Sequence, residues 1–175
     1  MRQLFVAVAA IAGLGLLTGL TQAGKVEVKG AHLCCNQCVK IVGATLAKVD
    51  GVSEAKCDRD TRTVTFTAKD SKAATAGVKA LFDAGFFGTA TEDGKPIKLE
   101  EATPRKGERA NEVTVKAVHV CCKQCQNAID ALFKDGKVSY EGKGPQRDVK
   151  VSGTGLDKAE VLETLRKAGF NGKVD

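Results

Sequence analysis

The chain has 175 residues and a formal net charge of +6, with 27 Lys and Arg against 21 Asp and Glu. Aromatic residues make up only 5%, Trp is absent, basic and acidic residues are interspersed, and no glycine-rich phosphate loop is present. These features argue against nucleic-acid and nucleotide binding, and the charge is better read as a solubility or acidic-partner feature.

Residues 1–23 read as an export signal. Arg2 supplies the positive start, Leu4 to Leu20 is an apolar stretch, and Thr21-Gln22-Ala23 offers small residues at the −3 and −1 positions of a cleavage point. The competing reading is an uncleaved membrane anchor. The export reading implies a periplasmic or secreted location, with the membrane involved only through this segment if it stays uncleaved. The remainder suits two small domains, expected at 24–100 and 112–175 with a linker at 101–111.

Lys25-Val26-Glu27-Val28-Lys29 alternates polar and apolar, the pattern of a strand. Val39, Val42, Leu46 and Val49 then recur at helical spacing, and Asp50-Gly51 ends that helix. Val52 to Cys57 and Val64-Thr65-Phe66 read as a hairpin turning at Asp58-Arg59-Asp60. Asp70-Ser71 caps a second helix carrying Ala74, Val78, Leu81 and Phe82, which stops at Gly85. Thr89 to Glu92 is a short closing strand, and Pro96-Ile97-Lys98-Leu99 is a candidate hairpin extension.

The same order follows again. Val113 and Val115 open it, and a helix bears Ile129, Leu132 and Phe133. Val138-Ser139-Tyr140 and Val149-Lys150-Val151 pair around a Gly142/Gly144-Pro145 loop. Asp157 with Glu160 forms a capping box for a helix with Val161, Leu162 and Leu165. Gly169 stops that helix, and Lys173-Val174 closes. Each half therefore reads β-α-β-β-α-β, and the expected fold class is α+β, two ferredoxin-like βαββαβ domains in tandem.

The repeat is sharpest at one place. His32-Leu33-Cys34-Cys35-Asn36-Gln37-Cys38 returns 87 residues later as His119-Val120-Cys121-Cys122-Lys123-Gln124-Cys125. These two H-x-C-C-x-x-C copies hold six of the seven cysteines and both histidines of the chain. Ala84-Gly85-Phe86 likewise returns as Ala168-Gly169-Phe170. Packing alone does not concentrate soft ligands twice in one pattern. A pure disulfide framework fits poorly too, because the cysteine count is odd and Cys34-Cys35 and Cys121-Cys122 are vicinal pairs that bridge only with strain. Thiolates select Cu(I), Zn and other soft ions, and a C-x-x-C at a helix start lets helix amides and dipole favour the thiolate.

In this setting the sequence resembles the heavy-metal-associated domain, the ferredoxin-like module of copper chaperones, metal-pumping ATPases and mercury-binding proteins. The resemblance rests on Cys35/Cys38 and Cys122/Cys125, the strand before each, the entry Gly51-Val52 (more loosely Gly136-Lys137-Val138), and the late Gly85-Phe86 and Gly169-Phe170. It implies a two-cysteine metal site at each C-x-x-C. Where that family has Gly-Met-x, this chain has His32-Leu33-Cys34 and His119-Val120-Cys121. The extra Cys34, Cys121, His32 and His119 are thus candidate ligands that the resemblance does not supply.

Two thiolates suit Cu(I) or Hg(II), Cys34 or Cys121 would make three, and a histidine would complete a Cys₃His set of the zinc type. A cluster shared between the domains is a further arrangement, with six thiolates and two imidazoles facing each other. Cys57 has no counterpart and reads as a buried packing residue. Lys123 is a candidate thiolate stabiliser. The expected function is an exported carrier or store of soft metal, Cu(I) first with Zn(II) or Hg(II) as alternatives, without catalysis. Its expected partner is a metal-transporting or metal-accepting protein. The rivals are a thiol–disulfide oxidoreductase, which the lack of a Trp-Cys-x-x-Cys setting disfavours, and a structural zinc protein.

Overall fold

Alternating valines set the first strand. The computed structural model describes residues 23–174, so the export-signal reading lies outside the described residues except for Ala23. In β1 (Gly24–Lys29), Val26 and Val28 are buried opposite Phe66 and Val64 of β3 (Thr63–Ala68), and Val28 also faces Ala90 of β4 (Thr89–Glu92). With β2 (Val52–Asp58) and β5 (Lys95–Pro96) at the edges, the antiparallel sheet has the order β2-β3-β1-β4-β5. Helix α1 (Asn36–Leu46) buries Cys38, Val42 and Leu46, and α2 (Ser71–Asp83) buries Ala74, Val78 and Leu81. This is the split βαβ arrangement of the ferredoxin-like fold.

The second half follows the same order. It comprises β6 (Arg109–His119), α3 (Lys123–Asp130), β7 (Lys137–Glu141), β8 (Gln146–Asp157), α4 (Lys158–Lys167) and β9 (Lys173–Val174), with the antiparallel sheet β7-β8-β6-β9. The Asp70 carboxylate accepts from the N–H of Ala73 at 2.7 Å, and Asp157 from those of Ala159 and Glu160, so both expected N-caps form, while among the described residues no Glu160 side-chain bond completes the capping box. Among the described residues, no helix is long and apolar enough to cross a membrane.

Several local expectations need correction. β6 begins at Arg109, inside the expected linker, because residues 109–110 pair with 156–157 of an unusually long β8. Helix α1 ends at Leu46, so Val49 lies in the following turn. Helix α3 ends at Asp130, which leaves Leu132 and Phe133 in the turn beyond it, half-buried. Cys57 is half-buried rather than enclosed. The ladder shifts register between Ser53 and Lys56, with Glu54 in the left-handed region at φ 53°, and Ala55 is turned out to solvent.

Gly77 stands inside α2 for a packing reason. A Cβ there would lie 2.7 Å from the ring of Phe66. In an open helical position Gly→Ala stabilises by about 1 kcal/mol. Here Gly77→Ala is expected to destabilise by about 1–3 kcal/mol through overpacking, read as a lower Tm in thermal unfolding.

The two halves meet along a seam made by the late Gly-Phe turns. Gly85 and Gly169 follow α2 and α4 with φ of 87° and 94°. The N–H of Phe86 donates to the Leu81 carbonyl at 3.1 Å and that of Phe170 to Leu165 at 3.0 Å, closing each helix with a Schellman turn and driving each Phe inward. Phe86 and Phe170 then form an antiparallel bridge to each other. The Gly169 carbonyl accepts from the N–H groups of His32 (3.1 Å) and Phe87 (2.9 Å), and the Gly85 carbonyl from those of Asn171 (2.9 Å) and His119 (3.4 Å). Arg62 reinforces one side, donating from Nη2 to the carbonyls of Gly30 (2.7 Å) and Ala168 (2.5 Å). Gln146 does the same opposite, donating from Nε2 to Asp83 (2.8 Å) and Ala117 (3.2 Å). One continuous apolar core runs through both halves.

A Cβ on Gly169 would collide with the backbone at Gly30 and His32, and one on Gly85 with the backbone at Ala117, Val118 and His119. Positive φ and close approach act together at these positions. Gly169→Ala should therefore cost more than about 1 kcal/mol and loosen the seam. Hydrogen exchange at the amides of His32 and Phe87 would report it, and unchanged protection there would contradict the role assigned to this glycine.

Candidate metal centre

A left-handed residue precedes each motif: Gly30 (φ 90°) just after β1, and Ala117 (φ 58°) at a register shift within β6, which stays paired with β8 to His119. The histidine and the three cysteines come next. Cys35 and Cys122 occupy the N-cap positions of α1 and α3 in extended conformation, and Cys38 and Cys125 lie in the first helical turns. Because the seam holds the two motif strands against opposite Gly-Phe turns, the two cysteine loops face each other.

All six motif sulfurs form one network. Across the seam, Cys34 Sγ lies 3.6 Å from Cys122 and 3.5 Å from Cys125, and Cys121 Sγ lies 3.7 Å from Cys35 and 3.6 Å from Cys38. Within each half the sulfurs of Cys34–Cys38, Cys35–Cys38, Cys121–Cys125 and Cys122–Cys125 are 3.6–3.8 Å apart. Cys38 and Cys125 form a buried floor, while Cys34, Cys35, Cys121 and Cys122 form a half-buried rim.

The histidines flank this network crosswise. His32 stacks on Phe170 of the other half with ring centroids 4.1 Å apart, and His119 stacks on Phe86 at the same distance. His119 Nε2 is 3.4 Å from Cys38 Sγ. Two buried ring nitrogens, His32 Nε2 and His119 Nδ1, have no hydrogen-bond partner among the described residues. Three overlapping sets have every ligand atom within 4.8 Å of the others: Cys38/His119/Cys121/Cys125, His32/Cys34/Cys125 and Cys34/Cys35/Cys122. Each set draws on both motifs, so the Cys₃His combination belongs to neither motif alone. Lys123 is solvent-exposed at the start of α3, and Cys57 lies outside all three sets.

The seam residues Arg62 and Gln146 carried no signal in the sequence, since the two halves use different side chains for one task. The Gly-Phe recurrence was visible, but its crossed partnership with the histidines was not.

The electrostatics of six crowded thiols favour ionisation at Cys38 and Cys122 and oppose it at Cys34, Cys121 and Cys125. The Cys125 thiol donating to Cys38, with His119 beside it, holds Cys38 far below the ordinary thiol range. The same contact with Cys38, together with burial, pushes Cys125 far up. Burial raises Cys34 and Cys121, and negative charge on Cys38 raises them further. Burial also opposes ionisation of Cys122, but the Cys125 N–H and the neighbouring thiols outweigh it and bring the value to about 7. Burial lowers His32 to about 4, so its ring is neutral at pH 7, as a metal ligand must be.

Residues 24–85 match the family model of the heavy-metal-associated domain, a module that binds heavy-metal ions. The match takes in Cys34, Cys35 and Cys38 and ends before the second motif. No curated protein matches the chain.

The raised thiols of Cys34, Cys121 and Cys125 are protonated at neutral pH and must release protons to a binding ion. Affinity is therefore expected to rise with pH between 6 and 8, about tenfold per pH unit for each proton released. Competition against a chelator of known protonation behaviour would measure this, and a flat profile would contradict the raised thiols.

Proposed function

We propose that this protein is an exported carrier or store of soft metal ions, Cu(I) in the first place, built from two heavy-metal-associated-type domains that share one thiolate centre. The observation that carries the reading is the sulfur network: six thiols from two distant motifs stand 3.5–3.8 Å from their neighbours across one seam. Sulfur-only donors favour soft ions. The spacing favours three or four sulfurs per ion, because two thiolates on opposite sides of a linear ion would stand about 4.6 Å apart at a bond length of ~2.3 Å.

The tandem reading is supported by the second half's matching element order and its second H-x-C-C-x-x-C. Export is supported by the apolar stretch Leu4 to Leu20 behind Arg2. The half-buried rim of Cys34, Cys35, Cys121 and Cys122 lets thiols of a metal-transporting or metal-accepting partner reach a bound ion and take it by ligand exchange. Nothing in this exchange calls for catalytic turnover. Hg(II) suits the same donors.

One observation favours a second reading. Cys38, His119, Cys121 and Cys125 form a Cys₃His set, the donor combination of structural zinc sites. It would use three of the six thiols and leave Cys34, Cys35 and Cys122 idle.

Metal analysis and X-ray absorption on protein purified anaerobically, from cells given both copper and zinc, separate the two. The expected result is copper in an all-sulfur shell, with binding reduced at least tenfold in the Cys35→Ser/Cys122→Ser double variant. Zinc in a shell of three sulfurs and one nitrogen, indifferent to that double substitution, would replace the copper reading with the structural one.

A further inference from the structure

The extra cysteine of each motif has a geometric assignment that its place in the sequence conceals. Cys35 Sγ, Cys38 Sγ and Cys121 Sγ form a closed triangle with sides of 3.6, 3.7 and 3.6 Å. Cys122, Cys125 and Cys34 form its counterpart, with sides of 3.7, 3.6 and 3.5 Å. The two triangles have no sulfur in common, and together they use all six motif cysteines.

The same-half sets do not close in this way. Among the described residues, no thiol–thiol hydrogen bond joins Cys34 to Cys35 or Cys121 to Cys122. The backbone at Cys35 and Cys122 is extended (φ −152° and −153°), and the Cys34 and Cys35 sulfurs, though within 4.8 Å of each other, do not close a hydrogen-bonded triangle with Cys38. Each vicinal cysteine reaches the buried cysteine of its own half, but the closed triangles take their third sulfur from across the seam.

We infer that the chain holds two trigonal thiolate sites, in which each C-x-x-C pair takes its third ligand from the other half: Cys121 completes Cys35/Cys38, and Cys34 completes Cys122/Cys125. This rests on the soft-metal reading above and adds the ligand allocation and a capacity of two ions. A triangle with sides near 3.6 Å places its centre about 2.1 Å from each corner, close to the ~2.3 Å bond of a metal–thiolate site, so small outward movements of the sulfurs admit an ion. The thiols of a triangle that still carry protons release them to solvent as one ion enters, and no electron is transferred. The triangles touch through Cys34–Cys38 at 3.7 Å and Cys121–Cys125 at 3.8 Å, so the two ions sit side by side. The exchange of third ligands also makes metal binding lock the seam.

The test uses full chains that share Cys122→Ser and Cys125→Ser and differ in one further change. One adds Cys34→Ser and keeps the crossed set Cys35, Cys38 and Cys121. The other adds Cys121→Ser and keeps the same-half set Cys34, Cys35 and Cys38. Each is titrated with Cu(I) against a chromophoric Cu(I) chelator and examined by copper X-ray absorption. The crossed set should bind one Cu(I) through three sulfurs, at least tenfold more tightly than the same-half set. Equal affinity, or tighter binding by the same-half set, overturns the allocation.

Circular dichroism checks the buried Cys125→Ser change, and unmodified protein supplies the second measurement whatever that shows. Two Cu(I) per chain with three sulfurs each and a copper–copper scattering path support the inference. One ion per chain, or two sulfurs per ion, overturns it while leaving soft-metal binding intact. Failure of the unmodified chain to bind Cu(I) removes the functional reading as well.

Discussion

The arrangement depends on two carbonyl groups, those of Gly85 and Gly169. Each sits at the end of a Schellman turn and accepts amides of the opposite half, one of them from the histidine that opens a cysteine motif. Only a residue without a side chain permits this, because the backbone is left-handed there and the opposing strand lies against the Cα. The phenylalanine after each glycine then packs under the histidine of the other motif. Helix termination, docking of the two halves and histidine placement thus come from one short turn used twice.

Docking two cysteine loops face to face creates an electrostatic problem. Six sulfurs in van der Waals reach, two of them fully buried, cannot all ionise without a counter-charge. The opposed shifts of Cys38 and Cys125 express this: one thiolate is welcomed by surrounding S–H donors, and its charge holds the protons on its neighbours. A soft cation removes the conflict, since it replaces several protons at once and is bound by several sulfurs. In the proposed reading, the metal-free cluster, with its raised thiols protonated, and the thiolate-bound ion are two states of one centre, exchanging protons for metal.

The two histidines serve this centre by position. Each is held by stacking on a phenylalanine from the other half, and one reaches Cys38 directly. Each ring also leaves one buried nitrogen without a protein partner among the described residues. Such rings, neutral in the case of His32, shield the sulfur floor from water and lie close enough to enter a coordination sphere. The same packing ties the state of the centre to the state of the seam.

Much of this was legible in residue order. Val26, Val28, Val113 and Val115 announced the central strands because burial on one face imposes a period of two, and Asp70 and Asp157 announced helix starts because orphan amides need acceptors. The paired H-x-C-C-x-x-C and Gly-Phe elements exposed a duplication and a soft donor set. Local interactions govern all of these, and spacing along the chain reports them. Spacing placed the long β8, the short α3 and Cys57 less well, because a register shift and a pairing partner override local pattern. What tertiary structure alone decided is which sulfur faces which. Cys34 and Cys122 meet through the docking of two sheets on two glycine turns, a contact between residues 88 positions apart that no local preference encodes.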